Sequence, residues 1–80
     1  MDLTVQLQSV GYVKAKEAQQ FKIGELMMWN FGYKSEILSI VKETKTQIIF
    51  SLNSIKPNGS TDGKVYERRL KKNRLIAIAK

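Results

Sequence analysis

The sequence predicts a small all-β protein, and three features of its 80 residues lead to that class. Apolar and polar residues alternate over short stretches, which is the period of a strand with one buried face. Turn-forming residues separate these stretches at intervals of about 8–12 residues. No stretch carries the apolar spacing of a helix of useful length. Short strands arranged in this way indicate a small barrel or sandwich.

The N-terminal part is predicted to contain one strand and one short helical turn. Residues 3–7 alternate between apolar and polar types and predict a strand that is closed by Gly11. Residues 14–20 are largely good helix formers, yet they span only about two turns, too few for a helix that is stable without packing. We therefore expect a short helical turn there that delivers Phe21 to the core.

Five further strands are predicted along the rest of the chain, at 25–30, 34–42, 46–52, 64–70 and 75–79. Gly24 marks a tight turn before the first of them, and residues 30–33 form the next turn, because Asn and Gly tolerate a positive φ. The only long loop is 57–63, which contains Pro-Asn-Gly and Asp-Gly. A brief basic turn at 71–74 precedes the closing strand.

Several predicted strands are apolar on both faces, and one small barrel interior cannot absorb both. In the strand 46–52, the face that carries Ile48, Phe50 and Leu52 is expected to point inward. Only one of Met27 and Met28 can do so; the other is expected to contact the N-terminal strand, a partner or solvent. Either the N-terminal strand or another subunit is expected to cover the outer face, so a homodimer is one of the expected arrangements.

Length and composition restrict the organisation of the chain. Eighty residues form one domain, in which we expect an N-terminal strand within 1–12 and a barrel within 13–80. The chain has no cysteine, which fits a cytoplasmic protein without disulfides. It shows neither the features of a signal peptide nor an apolar run of about 20 residues, so we expect no membrane partner.

Two parts of the chain carry a resemblance to known proteins. Residues 21–26, FKIGEL, have the pattern apolar-x-apolar-Gly-acid-apolar that is common at the start of SH3-like barrels. The wider sequence, with WNFGY at 29–33 and YERRL at 66–70, resembles small uncharacterised proteins of phages and mobile elements in low-GC Gram-positive bacteria. The resemblance covers about residues 13–79. It implies a mobile-element origin and a five-stranded SH3-like barrel, here with an additional N-terminal strand and one short helical turn, but no activity.

The sequence offers no catalytic constellation. It has no His and no Cys, which excludes Ser/His and Cys/His nucleophiles and zinc held by His or Cys. Its seven acidic residues lack the paired spacing of two-metal or glycosidase sites, and no phosphate-cradling glycine loop is present. We therefore expect a non-enzymatic protein without a cofactor or metal.

The net charge of +7 is concentrated near the C-terminus. Residues 64–80 contain seven basic residues and one acid, and such a surface attracts polyanions. In the strand 64–70, Tyr66, Arg68 and Leu70 share one face, with Val65, Glu67 and Arg69 on the other. The core is expected to take Leu70 and either Tyr66 or Val65, which leaves at least one arginine facing outward.

We expect nucleic acid, either DNA or RNA, to contact the basic residues of this strand and turn, which are Arg68, Arg69, Lys71, Lys72 and Arg74. Arginine and lysine suit phosphate oxygens, and exposed aromatic rings stack on bases. The expected stacking or packing partners are Tyr33, Phe31 and Tyr66. Trp29 is a further candidate for stacking in a binding groove, and its alternative place is the core. The alternative role of the basic residues is to protect an exposed strand edge.

Two other functions fit the same sequence. A basic face also suits an acidic or nucleic-acid-binding surface of a host protein, so the chain is alternatively a phage-type inhibitor that blocks a host enzyme such as a defence nuclease. A third interpretation is a structural subunit that assembles through its two-sided apolar strands.

Overall fold

The computed structural model describes residues 3–79, without the side chain of Asp62. Met1, Asp2 and the basic residue Lys80 lie outside the described residues. Seven strands form one antiparallel sheet: β1 Thr4–Leu7, β2 Gly11–Glu17, β3 Leu26–Met28, β4 Lys34–Glu43, β5 Gln47–Ile55, β6 Thr61–Lys71 and β7 Leu75–Ile78. Single 3₁₀ turns occur at Ala18–Gln20 and Asn30–Gly32. The prediction of an all-β protein is confirmed.

The strand order across the sheet is β1-β2-β7-β3-β4-β5-β6. The strands β3 to β6 follow one another as a meander, and β7 returns to lie between β2 and β3. The sheet is not closed, because β1 and β6 each pair with a single neighbour within the described part of the chain. Two register shifts in β4, after Ile37 and after Ile40, add local bends to the sheet.

The core lies against one face of the sheet, as the alternation predicts. Ile48, Phe50 and Leu52 are all buried, and they belong to a cluster with Phe21, Met27, Ile37, Leu70 and Ile76, among others. Met27 is fully buried, whereas Met28 is half-buried beside Tyr12 and Val13 of β2. The expectation that only one of the two methionines faces the core is therefore confirmed.

The prediction of a helical turn over 14–20 is wrong for its first half. Residues 14–17 belong to β2, which pairs with β1 on one side and with β7 on the other. Two ladders of hydrogen bonds outweigh the weak helix preference of these residues. Only Ala18–Gln20 forms a helical turn, and Phe21 follows it into the core as expected. The predicted boundary between the N-terminal strand and the barrel, after residue 12, falls inside β2. The strands on the two sides of this boundary therefore belong to one continuous sheet.

The remaining strands match their predicted positions, with shifted ends. The most changed region is the predicted loop 57–63, of which Thr61–Gly63 already belongs to β6. The loop is shorter because Ile55 pairs with Thr61 and the amide of Lys56 donates to the carbonyl of Ser60 at 2.8 Å. The basic turn at 71–74 is present, with the amide of Arg74 donating to the carbonyl of Lys71 at 3.1 Å. In residues 3–79 no helix is long and apolar enough to cross a membrane.

Candidate nucleic-acid interface

A cleft of about 500 Å³ lies between the edge strand β1 and the inner side of β6. Residues of β1, of the turn after β3 and of β7 line it, together with two arginines from β6 and the turn that follows. The side chains that give it chemical character are Trp29, Tyr33, Arg68 and Arg74. We call it the arginine cleft. No carboxylate occurs among the described residues that line it.

Trp29 and Arg68 form the centre of the arginine cleft. The guanidinium carbon of Arg68 lies 4.1 Å from the centre of the Trp29 ring. A cation above the face of an indole is attracted by the negative potential of the ring, and the attraction strengthens as water is excluded. Both side chains are half-buried, and both line the cleft while they pack on each other.

The two arginines give the arginine cleft a positive potential. Partial burial lowers the pKa of Arg68, and the charge of Arg74 lowers it further, while Tyr66 acts in the opposite direction. A guanidinium nevertheless stays charged at any physiological pH. The two guanidinium groups repel each other, and no carboxylate in the described lining offsets this repulsion. An anion that enters the cleft would reduce the repulsion and is therefore favoured there.

A buried hydrogen-bond network beneath the arginine cleft fixes the orientation of the Trp29 indole. The Nε1 group of Trp29 donates to Oγ of Ser35 at 2.8 Å, and the same hydroxyl is hydrogen-bonded to the hydroxyl of Tyr66. Ser35 is 1 % exposed and lies opposite Met27 in the sheet. Tyr66 therefore packs beneath the cleft, and its ring is not an open platform for a base.

The aromatic turn after β3 is anchored to the β1–β2 hairpin. The amide of Gln8 donates to Oδ1 of Asn30 at 2.8 Å, and the amide of Phe31 donates to the carbonyl of Gln8 at 2.7 Å. This turn presents Tyr33 to the cleft with 48 % of its surface exposed. Phe31 is 54 % exposed and lies outside the cleft lining, with a left-handed φ of 64°.

The structure divides the predicted site residues. It brings together Arg68, Arg74 and Tyr33. Arg69 is exposed on the opposite face of β6, because successive side chains of a strand alternate. Lys71 and Lys72 line a separate concavity on the other side of the β6–β7 turn. The eight predicted residues therefore do not all line one concavity.

The sequence leaves one contributor open and does not predict another. The sequence leaves Trp29 either in the core or in a groove, and the residue belongs to both: it packs on the core and lines the cleft. Lys45 is predicted only as part of a polar reversal, yet it lies beside Lys71 and Lys72. The pairing of β5 with β6 is the signal that would have indicated the position of Lys45. Gln47 lies opposite Lys71, so the start of β5 lies beside the end of β6.

The fold and the arginine cleft define a small, basic, all-β protein with an aromatic, cationic concavity. The described residues contain no group of three or more acidic side chains that could hold a metal ion. Comparison with models of known protein families gives no match, and comparisons with curated proteins and with solved structures give none either.

Proposed function

We propose that this protein is a non-enzymatic module that binds single-stranded nucleic acid in the arginine cleft. The observation that carries the proposal is the Arg68 guanidinium stacked on Trp29 beside a second arginine, Arg74. The arginines supply charge-assisted hydrogen bonds to phosphate oxygens. The exposed part of Tyr33 supplies a ring face for a base.

A single strand fits this chemistry better than a duplex. Bases inside a duplex are stacked on one another, so an aromatic side chain reaches their faces only where they are unpaired. A cleft lined by both aromatic rings and arginines accommodates an unpaired base and its phosphate together. Apolar residues of β7 form part of the lining and suit the faces of bases.

We also propose that residues 26–78 form an SH3-like arrangement. Four consecutive strands form a meander, and the last strand follows a short basic turn and returns beside the first of them. The N-terminal hairpin then extends the sheet next to β7. In this arrangement β1 forms one wall of the cleft, and the arginines form the opposite wall.

The fluorescence of Trp29 provides the direct test, because it is the only tryptophan. Titration with single-stranded oligonucleotides should change the emission with a dissociation constant in the micromolar range or tighter at low salt. The affinity should fall as salt rises, with a slope of about −0.7 per phosphate contacted. Paired duplexes of the same sequence should bind more weakly.

Arg68 and Arg69 form a matched pair for this test. Arg68→Glu and Arg69→Glu change the net charge equally, but only Arg68 lies in the cleft. Arg68→Glu should abolish binding, whereas Arg69→Glu should weaken it only through the general field of the protein. Equal losses in the two variants would contradict the cleft as the binding site. No binding by the wild type at low salt would favour the rival protein target.

A further inference from the structure

A second concavity, of about 560 Å³, collects three lysines at one end of the sheet. Lys45 comes from the β4–β5 hairpin, Lys71 ends β6 and Lys72 begins the β6–β7 turn. The rest of its lining is polar and consists of Gln19, Thr46, Gln47 and Asn73. We call it the lysine pocket.

Backbone hydrogen bonds hold the walls of the lysine pocket together. The amide of Lys72 donates to the carbonyl of Thr46 at 2.9 Å, and the carbonyl of Lys72 accepts from the amide of Gln19 at 3.1 Å. These two bonds join the β4–β5 hairpin, the β6–β7 turn and the 3₁₀ turn after β2. The pocket is thus built from three tied segments of chain, and its shape does not depend on one mobile loop.

The charges around the lysine pocket are not balanced. Lys72 forms an ion pair with Glu43 at 3.4 Å. Neither Lys45 nor Lys71 has an ion-pair partner among the side chains that the structure describes. Ammonium groups only donate hydrogen bonds, and the nearby amides of Gln47 and Asn73 add further donors. A surplus of donors around one concavity suits an anion with several acceptor oxygens, which is the chemistry of a phosphate group.

The lysine pocket and the arginine cleft share the β6–β7 turn. Arg74 lines the cleft, Lys72 lines the pocket, and the turn between them is closed by the bond from the amide of Arg74 to Lys71. A strand that leaves the cleft past Arg74 therefore meets the lysines next.

We propose that the lysine pocket binds a phosphate group of the same nucleic-acid strand whose bases occupy the arginine cleft. This inference rests on the proposed function, and it adds a second contact that only a longer strand reaches. A trinucleotide fills the cleft alone, whereas a dodecanucleotide reaches both sites. With one phosphate in the pocket, the salt slope for the longer strand is steeper by about 0.7.

The experiment compares oligothymidylates of these two lengths by Trp29 fluorescence across a range of salt concentrations. The test variant is Lys45→Glu with Lys71→Glu, since both side chains are exposed. The control is Lys42→Glu with Lys56→Glu, which makes the same charge change at exposed lysines outside both concavities. The test variant should lose the additional slope on the dodecanucleotide and bind the trinucleotide nearly as wild type does. The control should keep the length dependence.

The two proposals fail in different ways. Equal slopes for the wild type and the test variant on the dodecanucleotide, or an equal loss in the control, overturn the lysine pocket. No fluorescence response of the wild type to the trinucleotide overturns the arginine cleft instead. In that case, amide chemical shifts in a titration with inorganic pyrophosphate test the lysine pocket independently of the arginine cleft. Saturable shifts at Gln47, Lys72 and Asn73 that vanish in the test variant support a phosphate site, and their absence overturns it.

Discussion

Ser35 accepts a hydrogen bond of 2.8 Å from the indole of Trp29 in the interior of an otherwise apolar layer. Its hydroxyl is also hydrogen-bonded to the hydroxyl of Tyr66, so this one small side chain is the hydrogen-bond partner of two large aromatic side chains. No buried side-chain nitrogen or oxygen lacks a partner in the described part of the chain. The network holds the indole in a fixed orientation beneath Arg68, so the shape of the arginine cleft is set by the core of the protein.

Ser35→Ala should destabilise the protein by about 1–3 kcal/mol, because it leaves the indole N–H without its acceptor. Tyr66→Phe should cost less, about 0.5–1.5 kcal/mol, since Ser35 still accepts from Trp29 in that variant. Urea unfolding followed by tryptophan fluorescence measures both. A larger loss in Tyr66→Phe than in Ser35→Ala would contradict the central role of Ser35.

Met27 and Met28 should respond very differently to the same substitution. Met27 is fully buried in the core, so Met27→Ala should lower the free energy of unfolding by about 2–5 kcal/mol. Met28 is half-buried near β2, and Met28→Ala should cost clearly less. Thermal unfolding of the two variants under one set of conditions provides the comparison. Similar unfolding midpoints for the two variants would contradict the assignment of Met27 to the core side of β3 and Met28 to the other side.

Phe31→Asn should stabilise the fold. Phe31 has a left-handed φ, which costs a residue with a Cβ roughly 1–2 kcal/mol, and Asn tolerates this conformation better. The ring is more than half exposed, so its removal forfeits little burial. We expect a gain of up to about 1 kcal/mol in urea unfolding. A loss of stability would indicate that the ring packs more tightly than its exposure suggests.

Glu25 should make stability depend on pH in the acid range. Its carboxylate accepts from Nζ of Lys16 at 2.8 Å and from the amide of Lys22 at 2.6 Å. The hydrogen bond from Lys16 is the largest effect and lowers the pKa of Glu25. Desolvation, the next largest, raises this pKa, and the hydrogen bond from the Lys22 amide lowers it further. The stabilisation is therefore complete above the unfolded pKa of about 4.3 and is lost as pH falls through the folded pKa.

Comparison of the wild type with Glu25→Gln measures that contribution. Because the pair is partly exposed, the wild type should be more stable by at most about 1 kcal/mol near neutral pH. The difference should shrink below about pH 4. Glu67→Gln, at an exposed carboxylate without an ion-pair partner among the described residues, serves as the control. A stability difference that grows on acidification would contradict a lowered pKa for Glu25.

The local pattern of the sequence predicts most of the strands and the inner face of β5, because the two-residue period is a property of each strand alone. It also separates Arg68 from Arg69 by the same alternation. It does not predict the strand at 14–17, since that strand is imposed by β7, about 60 residues later in the chain. The stacking of Arg68 on Trp29 likewise depends on how the sheet bends between distant strands, which no local pattern encodes.

The position of β7 has a consequence for how the molecule is made. This strand pairs with β2 on one side and β3 on the other, so without it the sheet separates into a hairpin and a meander. During synthesis both pieces must wait for residues 75–78 to leave the ribosome. Contacts between such distant residues slow folding to about the millisecond-to-second range. Because Leu75, Ile76 and Ala77 also line the arginine cleft, a nascent chain acquires this cleft only when its sheet is joined.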